Sequence, residues 1–311
     1  MSPFAAACER LLDGALRTAR FGAWIGSLAL VAGGPQAVVA QAPSVLPPDT
    51  VTFASGALTL RGIIYRPAGG GPFTTVLFNH GSGNDYSSQV AAVGPAYAKL
   101  GYAFFAPARR GQWLSAATGQ NILDTLNAIE KLKGREARDP LLVELMKGPQ
   151  LDDVRAALAY IKAKPYVRGD RVVVSGNSFG GIVTMFAAAH LDGVIAGLNF
   201  AGAAQTWAGS PNLQKALTDA AIAARVPIFF GQAENDYDLT PSRELSAAMT
   251  KAGKPNAIRI FPPFGATTAD GHAFGYFGGD AWGPVVAAFV NSPPTRQGAA
   301  VRTGGRPPRG R

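Results

Sequence analysis

The run Val172-Val173-Val174-Ser175-Gly176-Asn177-Ser178-Phe179-Gly180-Gly181 restricts this chain more than any other stretch. Its β-branched residues suit a strand buried on both faces. Gly-x-Ser-x-Gly follows at once, and residues 179–190 then carry a helical pattern that stops near Gly193. Strand, turn and helix must therefore succeed one another with no intervening loop. Such a turn needs backbone angles that most residues resist, and side chains at Gly176 and Gly180 would crowd it. The turn exposes the Ser178 hydroxyl near a helix N-terminus, where partial positive charge favours a developing anion. Ser178 is thus a candidate nucleophile.

Alternation extends along the chain. Residues 51–53 and 58–65 are β-prone runs separated by Ser55-Gly56, which predicts an antiparallel hairpin. Residues 73–79 form a near-continuous apolar run, suited to a strand of a mainly parallel sheet. Val90, Val93, Tyr97 and Leu100 recur at helical spacing before Gly101, and 102–106 reads as the next strand. Helices are expected at 151–163, 212–224 and 281–290, and strands at 171–175, 194–200, 226–231 and 258–261. Thr240-Pro241 reads as an N-cap with proline at the first helical position, opening a helix that ends near Gly253. Strands alternating with helices predict an α/β fold, a mostly parallel twisted sheet with helices on both faces. Residues 114–150 break the alternation. Ile122, Leu126 and Ile129, then Leu141, Leu142 and Leu145, are helically spaced, which predicts a helical insertion at the strand ends. It is either a lid that closes over a site or a long connection.

The composition, 47% hydrophobic and 16% charged, is that of a globular domain. Residues 1–42 read as a signal peptide. Arg10, Arg17 and Arg20 precede an uncharged, mostly apolar stretch at 21–34, Pro35 breaks it, and Ala40-Gln41-Ala42 offers a cleavage site after Ala42, with Ala40 as the alternative. The apolar stretch is shorter than the roughly 20 residues that span a membrane. The expectation is an exported protein, periplasmic or secreted, without a transmembrane span in the mature chain. The single cysteine, Cys8, would leave with the leader, which excludes disulfides and cysteine-based metal sites. The net charge is +9, of which the Pro/Gly/Arg-rich tail 293–311 supplies +5 and the domain 43–292 only +3. That tail reads as a disordered, solvated extension, and no specific nucleic-acid partner follows from it.

Gly176-Asn177-Ser178-Phe179-Gly180-Gly181 resembles the nucleophile elbow of α/β hydrolases. Over most of 50–292 the chain is similar to the dienelactone-hydrolase-like and bacterial prolyl-oligopeptidase-like esterases, with serine where true dienelactone hydrolases use cysteine. The resemblance implies the α/β-hydrolase fold and a serine hydrolase that cleaves a carboxylic ester or lactone through an acyl-enzyme. It also implies the chain order nucleophile, acid, histidine. Of the three histidines, His80, His190 and His272, only His272 lies past the expected acid, in a loop between the last strand and the last helix. His190, near a helix C-terminus, reads as a partner of the helix dipole. In the loop 232–241 the resemblance selects Asp236 as the acid, ahead of Asp238 and Glu234, for which solvation and helix capping are the other roles. The oxyanion donors it implies are the amides of Phe179 and of Ser82, the latter in Asn79-His80-Gly81-Ser82-Gly83, with His80 ordering that loop.

Arg109 and Arg110 stand where family members carry an Arg-Gly loop, either structural, the favoured reading, or meeting an acidic substrate group. Trp113, Trp207 and Tyr237 either line a substrate pocket or simply pack. No metal or organic cofactor is implied, since three scattered histidines do not make a zinc site. The expected partner is a small-molecule ester. Two alternatives stand beside this reading, a serine peptidase or amidase of the same fold and a non-catalytic binding protein.

Overall fold

The computed structural model describes residues 43–294. The expected leader 1–42, and all of the expected tail except its first two residues, lie outside the described residues. The chain opens with β1 (Asp49–Ser55) and β2 (Leu58–Tyr65), paired antiparallel as the hairpin pattern predicts. There follow β3 (Phe73–Asn79), α1 (Ser87–Lys99), β4 (Ala103–Pro107) and a 3-10 turn at Trp113–Ser115. Next come α2 (Ile122–Lys133), α3 (Arg135–Leu145), a π turn at Met146–Gln150 and α4 (Leu151–Lys162). The second half alternates: β5 (Val167–Asn177), α5 (Phe179–His190), β6 (Val194–Phe200), α6 (Pro211–Ala223), β7 (Ile228–Ala233), α7 (Thr240–Lys251) and β8 (Asn256–Phe261). It closes with α8 (Thr268–His272), α9 (Phe274–Phe277) and α10 (Gly279–Asn291).

The strands form one eight-stranded sheet in the order β1-β2-β4-β3-β5-β6-β7-β8. β2 pairs antiparallel with β1 and β4, and every pairing from β4 through β8 is parallel. This is the α/β-hydrolase fold. The chain runs from β3 out to β4 and returns on the other side of β3 as β5. The winding therefore reverses at the crevice between the carboxyl ends of β3 and β5, the place where open α/β sheets bind ligands.

The central strands are buried on both faces, which explains their unbroken apolar runs. Val172 and Val174 of β5 and Leu77 of β3 pack on one side, with α4 to α6. Val173 of β5 and Val76 and Phe78 of β3 pack on the other, with α1 and α10. Several boundaries differ from expectation by a few residues, and two of these differences have a local cause. β7 begins at Ile228 instead of residue 226, after Pro227, which has no amide to give a ladder. Thr240 is the first residue of α7, not its cap. The Thr240 amide donates to Asp238 Oδ1 at 2.8 Å, so a carboxylate two residues upstream does the capping.

The helical segment ahead of α4 is joined to this core. Leu142 and Met146 are fully buried in the cluster that holds Val154 and Phe186. The Asp139 carboxylate accepts from the Asn212 and Leu213 amides at 2.8 and 3.2 Å, placing negative charge on the N-terminus of α6. No described helix is long and apolar enough to cross a membrane. Truncating Leu142 to alanine opens a core cavity and should lower the unfolding free energy by about 3 kcal/mol in urea denaturation.

Candidate active site

Ser178 sits between β5 and α5 at φ 59° and ψ −123°, a conformation rare for a residue with a side chain. It costs about 1–3 kcal/mol and persists only where its surroundings enforce it. The Ser178 amide donates to the Phe200 carbonyl at 3.0 Å, and its own carbonyl accepts from the Ile182 amide. Neighbouring backbones leave no room for side chains. A Cβ on Gly180 would lie 1.8 Å from the Asn79 carbonyl oxygen, and one on Gly176 would lie 2.3 Å from the Gly180 carbonyl oxygen. The first turn of α5 is thereby pressed against the end of β3. Phe179 opens the helix, so its amide has no carbonyl one turn back.

The loop after β3 lies beside this turn, with a Cβ on Gly81 falling 3.5 Å from the Ser178 Cβ. Its main-chain groups are engaged almost completely. The Gly81 amide donates to the Tyr276 hydroxyl at 2.9 Å, and the Gly83 amide to the Tyr86 hydroxyl. The Gly81 carbonyl accepts from Arg109 Nη2 at 2.7 Å and from His80 Nδ1 at 2.9 Å. The Ser82 and Gly83 carbonyls accept from Gln112 Nε2. Among the described residues, the Ser82 amide is the one N–H of 81–83 with no hydrogen bond. That orphan is the donor expected for an oxyanion.

His80 is fully buried. The Arg109 amide donates to its Nε2 at 3.2 Å, so the ring proton must sit on Nδ1, which donates to Gly81. Burial first, and then the positive charge of Arg109, hold its pKa well below the usual imidazole range. It is a neutral strut of the loop.

His272 Nδ1 lies 2.8 Å from Asp236 Oδ1. His272 is expected in a loop but ends the short helix α8, whose N-terminus Thr267 and Asp270 cap with a capping box. The Asp236 carboxyl is buried and further bonded by the Tyr237 amide at 2.6 Å and Gln232 Nε2 at 2.7 Å. Asn235 bonds Phe264 and Thr267 and so ties the acid's loop to the histidine's. Asn177 Nδ2 donates to the His272 carbonyl at 3.0 Å, anchoring the histidine to the residue beside Ser178. His272 Nε2 is shielded from solvent and has no hydrogen-bond partner among the described residues. The Ser178 hydroxyl accordingly makes no hydrogen bond to His272 Nε2. Of the other acids, Asp238 caps α7 and Glu234 is exposed.

Asn177, Gln232, Asn235, Tyr86 and Tyr276 were not singled out in the sequence. A polar residue just before the end of an apolar strand, as Gln232 is in β7, is the one local signal among them. Both arginines lie in internal networks. Arg110 makes a fork to the buried Asp153, while Arg109 is fully buried and meets Gln150 and Gln112. Trp207 packs in the core, whereas Tyr237 stands edge-on to His272 with ring centroids 5.3 Å apart. Tyr237 also lines an open cavity of about 450 Å³ with Ala204, Gln205, Ala208 and Asp238. His190 ends α5, as expected, and burial first, then Lys147, Arg225 and Arg155, hold its pKa below the usual imidazole range.

The family model for the dienelactone hydrolase family matches residues 60–277. No curated protein sequence matches the chain significantly. Solved structures share its fold at low identity. The acylaminoacyl peptidase of Pyrococcus horikoshii is 17% identical with a TM-score of 0.57, over 79% of this chain and 41% of that one. This chain thus spans about two fifths of that peptidase. The esterase Est22 is 14% identical with a TM-score of 0.59, over 80% of this chain and 81% of its own. The hyperthermophilic esterase of the archaeon Pyrobaculum calidifontis is 15% identical with a TM-score of 0.56, over 80% of this chain and 87% of its own.

The lowered pKa of His80 has a stability consequence. The unfolded imidazole takes up a proton below about pH 6.5, whereas the buried ring does not, so stability present at pH 7 is lost as the pH falls. Urea denaturation between pH 7 and 5 should show the wild type losing up to about 1.4 kcal/mol per pH unit more than His80→Gln.

Proposed function

The chain belongs to the dienelactone hydrolase family, and from that premise we propose that this hydrolase cleaves carboxylic esters by a serine mechanism. Ser178 attacks the ester carbonyl while His272 Nε2 takes its proton. Asp236 holds the opposite ring proton and stabilises the imidazolium. The amides of Phe179 and Ser82 receive the oxyanion. The alcohol leaves with the proton from His272, and a water activated by the same nitrogen then releases the acid.

The observation that carries this reading is the buried Asp236–His272 pair. Its free Nε2 is withheld from solvent and its main chain is held by the neighbour of the strained Ser178. Serine–histidine contacts of this kind are often long without substrate and tighten as it binds. The cavity beside Tyr237, about 450 Å³, suits a short acyl or alcohol group. Asp238 in its lining disfavours an anionic one. With serine as nucleophile, simple esters are a better assignment than dienelactone. Export after removal of residues 1–42 belongs to the same proposal.

A fluorophosphonate probe should label the wild type and leave Ser178→Ala unlabelled; labelling that survives the substitution rejects the assignment. Asp236→Ala should lower kcat on p-nitrophenyl acetate about ten-thousandfold. Asp238→Ala should leave kcat within a few-fold and cost about 1 kcal/mol of stability through the lost cap. A panel of p-nitrophenyl esters against aminoacyl nitroanilides separates esterase from peptidase, with the esters expected to turn over.

A further inference from the structure

Arg109 is 1% exposed, yet no carboxylate lies within ion-pair distance of it among the described residues. Asp153, the nearby acid, is taken up by Arg110, through its amide, Nε and Nη2, and by the Ser55 hydroxyl. Arg109 has only neutral acceptors: Gln150 Oε1 on Nε, and the Gly81 carbonyl and Gln112 Oε1 on Nη2. Its Nη1 is buried without a partner. Burial pushes its pKa down to about 10, and Tyr86, Tyr276 and Asp153 are the groups that partly offset this. A buried charge left without a counterion is costly. As mere scaffolding for a loop, a neutral side chain would serve at less expense.

The Gly81 carbonyl that accepts from Arg109 belongs to the same planar peptide group as the Ser82 N–H. That amide is the unpaired donor beside Ser178. The carbonyl accepts from a guanidinium and from the His80 Nδ1 proton together. Charge-assisted bonds at one end of a peptide draw electron density from its nitrogen and strengthen the N–H as a donor, and low surrounding polarity enlarges the effect. We infer that Arg109 is a positioning residue for the oxyanion, whose uncompensated charge polarises the Gly81–Ser82 peptide and makes Ser82 the stronger donor. The inference rests on the serine mechanism proposed above.

The test neutralises the charge without removing the side chain. Gln150→Glu places a carboxylate on Arg109 Nε, where the adjacent guanidinium keeps it ionised. An alkyl trifluoromethyl ketone, carbon-13 labelled at the carbonyl, supplies the readout. Ser178 Oγ adds to that carbon, its proton passes to His272, and the ketone oxygen becomes an oxyanion whose pKa is read by NMR titration of the adduct. In Gln150→Glu that pKa should rise by about one unit. In parallel, kcat on p-nitrophenyl acetate should fall about tenfold, less than the hundredfold typical of a deleted donor. KM should stay within twofold and Tm at or above the wild-type value. Arg109→Met should show the same shifts where it folds; where it does not, Gln150→Glu alone decides. An unshifted adduct pKa with wild-type kcat in Gln150→Glu overturns the role of Arg109 and leaves the serine mechanism standing. A wild type that forms no adduct and hydrolyses no ester removes both.

Discussion

The Asn79 carbonyl that ends β3 occupies the place where any side chain on Gly180 would begin. Because hydrogen alone fits there, the first turn of α5 can close onto β3, and Ser178 is driven to positive φ between them. The strain does not relax, because both flanking strands are buried on two faces. Releasing the turn would mean shifting Val172 to Val174 of β5 against helices on either side. The same contact sets the loop 80–83 next to Ser178 and so fixes where an oxyanion would sit. Each remaining group of the site is positioned relative to that junction.

Around the junction the structure satisfies buried polar groups almost completely. The loop after β3 is gripped by Tyr86, Gln112 and Tyr276, which come from separate segments. The acid's loop is gripped by Gln232 and Asn235, and the histidine's main chain by Asn177. Among the described residues the groups left unpaired include the Ser82 amide, His272 Nε2 and one nitrogen of Arg109, together with the side-chain oxygens of Asn79 and Asn177. The first two are where a serine mechanism needs an empty donor and an empty acceptor. The third marks a positive charge held behind the donor's own peptide. Low surrounding polarity makes each unpaired group expensive, and it also makes each effective on a charge that develops nearby.

Local rules carried the sequence reading a long way. Runs of two-faced apolar residues located β3 and β5, and the Ser55-Gly56 break located the hairpin, because burial and turn sterics act over a few residues. Where local rules compete, the sequence is ambiguous. Thr240 looked like a cap, but Asp238 supplies the better acceptor for its amide. His272 looked like a loop residue, because a five-residue helix has too little periodicity to register. The polar partners Asn235, Asn177 and Tyr276 left almost no trace, since a hydrogen bond across 29 to 195 positions has no period or spacing.

What the sequence determined by itself was the strand–turn–helix at Ser178, the α/β alternation and, by the scarcity of histidine, a short choice of bases. These follow from backbone sterics and from the burial pattern of single elements. Only the tertiary structure decided that Asp236 and not Asp238 meets His272, that Ser82 alone of residues 81–83 keeps a free amide among the described residues, and that Arg109 lies without a carboxylate partner behind it. Those outcomes depend on which loops the order of strands brings together at one sheet edge, a long-range arrangement that no local stretch of chain encodes.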